Sequence, residues 1–238
     1  MDWGNTYIIM PVLTYNYNPT PSNNPLWDGL LAYWTADNTP NDALGVYNAT
    51  LVNGTTYGTG IINQGFSLDK VNDYIDFGNN FDFDGTTDFS FNFWVNISDT
   101  TNHSLFRKMN TSLTTEGYIC YILSGKIEFA IQNSNTNRLY VKTVDTISIG
   151  FSMITITYKA STKTVNIYIN GVDKALTVVT STFTLTSSNS EYLFFGRNIS
   201  SVQYFGGIFD EFAPFNRQLT PTEVTELYNL GLGKQYPN

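Results

Sequence analysis

Residues 88–96 read DFSFNFWVN, and this stretch decides the fold. Its apolar residues fall on every second position, at Phe89, Phe91, Phe93 and Val95. The residues between them are mostly polar, with Trp94 among them. Because successive side chains of a β-strand point to opposite faces, the alternation predicts a strand with one face buried in a core. We expect the other face, which carries Trp94, to lie on the exposed side.

Similar short segments, separated by turn residues, lie on both sides of this strand. Residues 164–169 and 172–176 flank Asn170-Gly171, which is the strongest signal for a two-residue hairpin. The same reading predicts strands at 29–34, 65–68, 74–77, 117–123, 126–132, 139–143, 151–158, 192–196 and 207–215. The fold class that follows is all-β, a two-sheet antiparallel sandwich.

One short helix is predicted near the carboxyl end of the chain. Thr220 is placed at its N-cap, Pro221 at its first position and Glu223 at its third, which is a capping box. Gly231 is expected to end the helix in the left-handed region.

Composition excludes several classes of function. The chain has 238 residues, a net charge of −8, one Cys and one His. One cysteine cannot form an internal disulfide or a Cys₄ zinc site, and one histidine excludes two-histidine metal motifs. The negative charge, with no basic run, argues against nucleic acid as a partner. No apolar stretch approaches the roughly 18–20 residues that would insert in a membrane.

Residues 1–27 are interpreted as an extended arm that precedes a single domain at 28–238. The arm holds Pro19, Pro21 and Pro25, and prolines at this density favour extended backbone. We expect it either to be a terminal strand laid on the domain or to dock on other virion or surface-assembly subunits. The expected docking anchors are Tyr7, Ile8, Ile9, Val12 and Leu13. The first basic residue is Lys70, so the positive region of a secretory signal is missing.

Several segments together resemble a known family. GLLAYWTAD at 29–37, GFSLDKVNDYIDFG at 65–78 and GGIFDEFAPFNRQLTPTEVTELYN at 206–229 are similar, in this order, to laminin-G-like, concanavalin-A-like domains. The resemblance covers about residues 28–231 and implies a jelly roll with one concave and one convex face. The family includes lectins, carbohydrate-binding modules, adhesion domains, some glycosidases and virus appendages, so the fold alone does not settle the function.

A catalytic site is not expected. Glycosidases of this fold carry closely spaced carboxylates on one strand, in a pattern resembling E-x-D-x-x-E, and no such triplet occurs here. Asp210 and Glu211 are adjacent and are expected to point to opposite faces. His103 is expected to be a solvated histidine in the polar turn 99–104.

The resemblance also implies a structural calcium ion. Asp210 matches the carboxylate on the last strand of the family, and Asp37 is its most natural partner, with Asp69 or Asp42 in reserve. Calcium prefers six to eight oxygen ligands, many of them carbonyls, so few side chains need be visible in the sequence. The alternative is that these acids only cap turns.

Sugar binding would require rings for stacking and polar groups for hydroxyls. The candidate ligand-binding residues are Trp94, Tyr118, Tyr121, Tyr140 and Arg138, with Tyr168, Arg107 and Arg197 as further candidates. Most of the 16 Tyr and 17 Phe must pack in the core, so each ring has a structural alternative.

Three functions remain open. The first is a non-catalytic virion structural or appendage protein, such as a capsid decoration, fibre or tail-associated protein. It would display the jelly roll at the virion surface for attachment, with glycans as ligands. The second is a secreted or cell-surface carbohydrate-binding or adhesion module, and the third, which the missing carboxylates disfavour, is a glycosidase.

Overall fold

The computed structural model describes residues 25–109, 116–134, 136–184, 189–198 and 203–236. Within them the strands are β1 (Thr50–Val52), β2 (Thr56–Thr59), β3 (Gln64–Asp69), β4 (Tyr74–Asp76), β5 (Phe89–Ile97), β6 (His103–Lys108), β7 (Gly117–Leu123), β8 (Lys126–Ser134), β9 (Asn137–Thr143), β10 (Gly150–Lys159), β11 (Thr164–Ile169), β12 (Val172–Asp173), β13 (Leu176–Ser181), β14 (Phe194–Phe195), β15 (Arg197–Asn198), β16 (Gln203–Tyr204) and β17 (Gly206–Phe215). Helix α1 covers Pro221–Tyr228, and 3₁₀ turns cover Pro25–Trp27 and Asn229–Gly231. No helix in these segments is long and apolar enough to span a bilayer.

The strands form two main antiparallel sheets. One has eight strands in the order β1-β4-β14-β6-β7-β8-β9-β13, and the other has seven in the order β12-β11-β10-β5-β17-β3-β2. Strands β15 and β16 pair as a small separate ribbon. Strand β14 is inserted between β4 and β6, although it follows them by more than eighty residues in the chain. The predicted two-sheet antiparallel jelly-roll sandwich is confirmed.

The core between the sheets is built largely from aromatic rings. Phe89, Phe91, Phe93 and Val95 of β5 are fully buried, as the alternation predicts. The ring of Phe91 lies 4.8 Å from that of Phe106, which belongs to β6 of the opposite sheet. Phe93 contacts the same Phe106 ring at 5.7 Å. The two sheets are therefore joined face to face by interlocking rings.

The second face of β5 is also buried, which corrects the prediction for Trp94. That side chain is only 2% exposed, and its ring stacks on Tyr228 of α1 at 5.7 Å. Val224 and Leu227 of the helix complete the cover, and Tyr168 of β11 lies in the same cluster. The outer face of the seven-stranded sheet is thus packed under the helix and is not a free surface.

The domain begins earlier than predicted. Leu26 and Trp27, assigned from the sequence to the arm, are buried in the same outer cluster. The Trp27 ring contacts those of Tyr33 and Tyr236 edge-on, at 5.7 and 5.5 Å. Residues 25–27 therefore belong to the packed domain. The predicted docking anchors (Tyr7, Ile8, Ile9, Val12 and Leu13) lie outside the described residues.

Helix α1 starts as predicted and ends slightly earlier. The Thr220 side chain accepts a hydrogen bond from the Glu223 N–H, and the Glu223 carboxylate accepts one from the Thr220 N–H. The left-handed conformation begins at Asn229, with φ of 47°, and not at Gly231. Asparagine tolerates this region better than most residues.

Some boundaries and one environment differ from the sequence-based expectations. Residues 29–34 form no strand and make only isolated bridges, from Leu30 to Phe215 and from Trp34 to Phe212. His103 lies in β6 and is fully buried, so its prediction as a solvated loop residue is wrong. Burial lowers the pKa of His103, against the opposing effect of Asp99. The polar residues at 99–102 are typical of a turn, so the sequence did not show that a strand begins at His103.

The ring contacts between the sheets lead to a stability prediction. Phe93→Ala should lower the free energy of unfolding by about 3–5 kcal/mol, because it removes a buried ring and leaves a cavity. The measurement is urea denaturation monitored by tryptophan fluorescence. Val172→Ala, at a side chain that is 58% exposed, is the control and should change stability by less than about 0.5 kcal/mol. A loss below about 1 kcal/mol for Phe93→Ala would contradict this account of the core.

Candidate functional site

The outer face of the eight-stranded sheet is the surface that α1 leaves uncovered. Strand alternation sends Tyr118 and Cys120 into the core, and Ile119 and Tyr121 to this outer face. Strands β8 and β9 follow the same rule, with Phe129 and Val141 inward. We call this surface the outer sheet face; it carries Tyr74, Arg107, Ile119, Tyr121, Glu128, Ala130, Arg138, Tyr140, Phe194 and Arg197.

A row of directly paired residues crosses this face. In order across the strands they are Phe194, Arg107, Ile119, Ala130 and Tyr140. Neighbouring strands lie about 4.8 Å apart, so Arg107 and Tyr140 are separated by roughly 14 Å over three steps. Ile119 and Ala130, in the middle of the row, are 5% and 4% exposed and form an apolar floor between Arg107 and the ring of Tyr140.

At one end of the floor a hydrogen-bonded cluster fixes the tyrosine rings. The Tyr121 hydroxyl lies 3.2 Å from the Tyr140 hydroxyl, which donates a hydrogen bond to the carboxylate of Glu128. The Arg138 guanidinium lies 5.0 Å from the centroid of the Tyr140 ring. Burial raises the pKa of Glu128, and burial with the nearby carboxylate raises that of Tyr121. Hydrogen bonds therefore link both tyrosine hydroxyls, and the ring of Tyr140 also has a cation–π partner.

At the other end a second group combines rings with an arginine. The Arg197 guanidinium lies over the ring of Tyr74 at 4.6 Å and over that of Phe194 at 5.3 Å. The two rings meet edge-on at 5.6 Å, and Tyr192, which is 49% exposed, lies 6.2 Å from Phe194. Such cation–π contacts leave the N–H groups of the guanidinium free to donate to a ligand.

The structure brings together three of the predicted ligand-binding residues and separates two. Tyr121, Tyr140 and Arg138 are neighbours on the outer sheet face. Tyr118 points into the core, is 1% exposed and donates its hydroxyl to the Phe81 carbonyl at 3.0 Å. Together with Trp94, it offers no ring face to a ligand.

Sequence reasoning missed the second aromatic group. Tyr74 and Phe194 are 120 residues apart in the chain and become neighbours only because β14 lies beside β4. The available signal was the alternation at residues 74–76, where Tyr74 and Asp76 flank the buried Ile75. That pattern marks an outward ring, but it does not show which strand lies beside it.

The calcium candidates lie elsewhere, beside a β-bulge in β17. The register shift between Asp210 and Ala213 puts both Asp210 and Glu211 on the outer face of the seven-stranded sheet, so the expectation of opposite faces is wrong. Both are buried. Glu211 accepts hydrogen bonds from the Tyr33 hydroxyl and from Gln235 Nε2, the latter at 2.8 Å. Burial raises the pKa of Asp210 to about 7 and that of Glu211 to about 8.

The surroundings of the aspartates do not fit a cation. Asp210 accepts N–H groups of Ile61 at 2.8 Å and of Glu211 at 2.9 Å. Asp37 accepts Gln64 N–H at 2.9 Å and the side-chain amide of Gln235 at 3.1 Å. Hydrogen-bond donors therefore occupy the positions where calcium would require oxygen ligands. No group of three metal-ligating side chains occurs in the described residues. A calcium ion here stays a prediction that this geometry does not support.

The reserve candidates make turns. Asp69 is exposed and accepts the Val71 N–H at 2.8 Å, which lowers the pKa of its carboxyl. Asp42 is buried and accepts four backbone N–H groups, including those of Tyr33 and Leu44. Both acids act as the turn-capping alternative expects.

The buried acids predict a pH dependence of stability. A carboxyl whose pKa is raised in the folded state binds a proton that the unfolded chain has released, so the free energy of unfolding should fall as pH rises from about 4 to about 8. The double variant Asp210→Asn, Glu211→Gln should flatten this fall. Urea titrations at pH 5 and pH 8.5 measure it, with Asp145→Asn at an exposed carboxylate as the control. A wild-type loss equal to that of the double variant would contradict the assignment.

Comparisons with known proteins agree with this architecture. The chain is similar to domain 4 of AbnA, a GH43 extracellular arabinanase from Geobacillus stearothermophilus, solved in complex with arabinotriose. The TM-score is 0.66, with 20% identity, and the match covers 86% of this chain and 98% of that domain. The binding domain of Paraclostridial Mosquitocidal Protein 1 gives a TM-score of 0.70 at 20% identity, covering 87% of this chain and 53% of that one.

A third similar structure is the botulinum neurotoxin serotype D ligand binding domain in complex with N-acetylneuraminic acid. It has a TM-score of 0.63 and 20% identity, over 85% of this chain and 51% of that one. The chain thus spans about half the length of these two toxin domains. No curated protein sequence matches it. A family model described as concanavalin A-like lectin/glucanases superfamily matches residues 69–225, well over half of the chain. The chain therefore belongs to the concanavalin A-like lectin/glucanases superfamily, in its laminin-G-like branch.

Proposed function

We propose that this protein is a non-catalytic carbohydrate-binding module that holds a glycan on the outer sheet face. The observation that carries the proposal is the row of paired residues with aromatic rings at both ends and an apolar floor between them. The C–H faces of a sugar ring pack on such rings, while its hydroxyls need polar groups at the edges. Arg138 and Arg197, each lying against a ring, are placed to supply these contacts.

The positions of the acids favour binding over hydrolysis. Asp76 and Glu128 lie on strands four steps apart in the sheet, which is about 19 Å. Glycosidases need two carboxyls within about 5–9.5 Å. Asp210 and Glu211 are adjacent, but both are fully buried on the opposite sheet. Neither pair can flank a glycosidic bond.

The similar structures supply independent support. The arabinanase domain was solved with arabinotriose, and the neurotoxin domain with N-acetylneuraminic acid. At about 20% identity, the three comparison structures show only that the fold is similar. The ligand of this chain must therefore be inferred from its own residues. We infer an extracellular or surface location, where glycans are met.

The second candidate is the same module carried on a virus particle. It would bind its ligand at the same outer sheet face and would differ only in the assembly to which the module is attached. It rests on the apolar, proline-rich arm with Tyr7, Ile8, Ile9, Val12 and Leu13 as anchors to other virion subunits. Those residues lie outside the described part of the chain. Deleting residues 1–24, which leaves Leu26 and Trp27 in place, would remove the proposed docking segment and keep the glycan-binding face. The deletion therefore tests attachment to other subunits separately from glycan binding.

A glycan array tests the proposed function. The wild-type protein should bind at least one class of glycan, and Tyr74→Ala and Tyr140→Ala should each weaken that binding roughly tenfold, which is about 1.4 kcal/mol. Tyr57→Ala is the matched control, because this half-buried tyrosine lies in β2 of the other sheet. Circular dichroism verifies that each variant is folded.

Two outcomes would contradict the proposal. One is a folded wild-type protein that binds no glycan on an array of neutral and acidic sugars. The other is binding that Tyr57→Ala weakens as much as Tyr74→Ala and Tyr140→Ala do, because the ligand would then lie elsewhere.

A further inference from the structure

The arginines of this acidic chain are concentrated on one surface. The protein has a net charge of −8 and only four arginines. Arg107, Arg138 and Arg197 all lie on the outer sheet face. The fourth, Arg217, is bound to Glu223 at 2.7 Å and to backbone carbonyls of the 3₁₀ turn at Pro25–Trp27. Arg217 thus has a structural role, whereas the other three surround the proposed glycan site.

Arg107 is buried without the partners that a buried charge requires. Its side chain is 1% exposed, and its Nε and Nη1 atoms have no hydrogen-bond acceptor in the described structure. It forms no ion pair within 4.0 Å there, although Glu191 is near enough to act on its pKa. Burial is the main cause that lowers the pKa of this guanidinium, with the charge of Arg197 second. An unpaired buried charge is strongly unfavourable, because it has lost its hydration without gaining a partner.

The next residue shows how the fold satisfies a buried cation that is structural. Lys108 is also 1% exposed, but its Nζ lies 2.9 Å from the Asp82 carboxylate and 2.6 Å from Asn79 Oδ1. It also donates to the Glu191 carbonyl. The Nζ of Lys108 thus has three acceptors for its three N–H donors, whereas two of the three guanidinium nitrogens of Arg107 have no acceptor. The contrast points to an acceptor that Arg107 receives from outside the protein.

Two further features place that acceptor on the glycan site. Arg107 stands in the paired row, directly between Phe194 and the Ile119 floor. Arg197, held over the Tyr74 and Phe194 rings, is close enough to act on the pKa of Arg107. Two guanidiniums that repel each other in the free protein would both be stabilised by one anion between them.

We propose that Arg107 and Arg197 form an anion subsite for an acidic sugar, one that carries a carboxylate or a sulfate group, on the outer sheet face. This inference rests on the proposed function and narrows its ligand class. The anion supplies acceptors to the unpaired nitrogens of Arg107, while the sugar ring packs on the aromatic group beside it. Arg138, whose Nε is also unpaired, lies toward the other end of the floor. There it could bind a second acidic sugar unit of the same oligosaccharide.

Calorimetric titration with two matched ligand pairs tests the subsite. Trigalacturonate is compared with its methyl ester, and lactose sulfate with lactose, so that each pair differs in one kind of anionic group. We expect the charged member of at least one pair to bind at least tenfold more tightly, and the pair that responds identifies the anion. Arg107→Met should abolish the preference. It should not lower the melting temperature, because it removes an unpaired buried charge.

Lys159→Met is the control for net charge. It also removes one positive charge, but its Nζ pairs with Asp88 at 2.7 Å on the other sheet, so the preference should remain. Arg107→Lys, which keeps the charge but loses the planar guanidinium, should retain only part of it.

The outcomes separate this inference from the proposed function. Equal affinity for charged and neutral members, or a preference that Arg107→Met leaves unchanged, overturns the anion subsite. If the glycan array also gives neutral ligands that Tyr140→Ala weakens, the carbohydrate-binding function stands without the subsite. If neither the array nor the titrations show any binding, both proposals fall.

Discussion

The interlocking of Phe91 with Phe106 between the two sheets is the contact on which the rest of the molecule depends. Once these rings face inward, the alternation of side chains fixes the directions of the other residues on β5, and those of Arg107 and Lys108 after the bulge in β6. Arg107 must then point outward, next to Phe106, and Trp94 must point to the opposite outer face. A shift of one residue in β5 would exchange its buried Phe rings with Ser90, Asn92 and Trp94.

The outer faces of the two sheets differ in what covers them. The seven-stranded sheet is covered by α1, by the 3₁₀ turn at Pro25–Trp27 and by residues around Tyr236. The bulge in β17 turns Asp210 and Glu211 into that covered layer, where burial raises their pKa values. The helix does not cover the eight-stranded sheet, whose outer face carries half-buried rings, the half-buried Arg138 and Arg197, and the buried Arg107. One sheet is therefore covered by the rest of the domain, and the other carries the proposed binding site.

Much of the fold could be predicted from the sequence, since alternation and capping are local properties. The strand at Phe89–Ile97, the hairpin at Asn170-Gly171 and the capping box at Thr220 were all recognisable. The site was harder to predict from the sequence, because Tyr74 and Phe194 become neighbours only through the insertion of β14 between β4 and β6. Tyr118 and Tyr121 show the same limit at shorter range. Both are tyrosines of β7, yet one packs in the core and the other lies on the outer sheet face.

A crystal structure of the protein with an acidic oligosaccharide tests the central claim most directly. The account predicts a sugar ring packed on Tyr74, Phe194 or Tyr140. It also predicts an anionic oxygen about 2.7–3.2 Å from a guanidinium nitrogen of Arg107. A ligand bound at the loops that join the sheets, or on the side covered by α1, with Arg107 still unpaired, would contradict it.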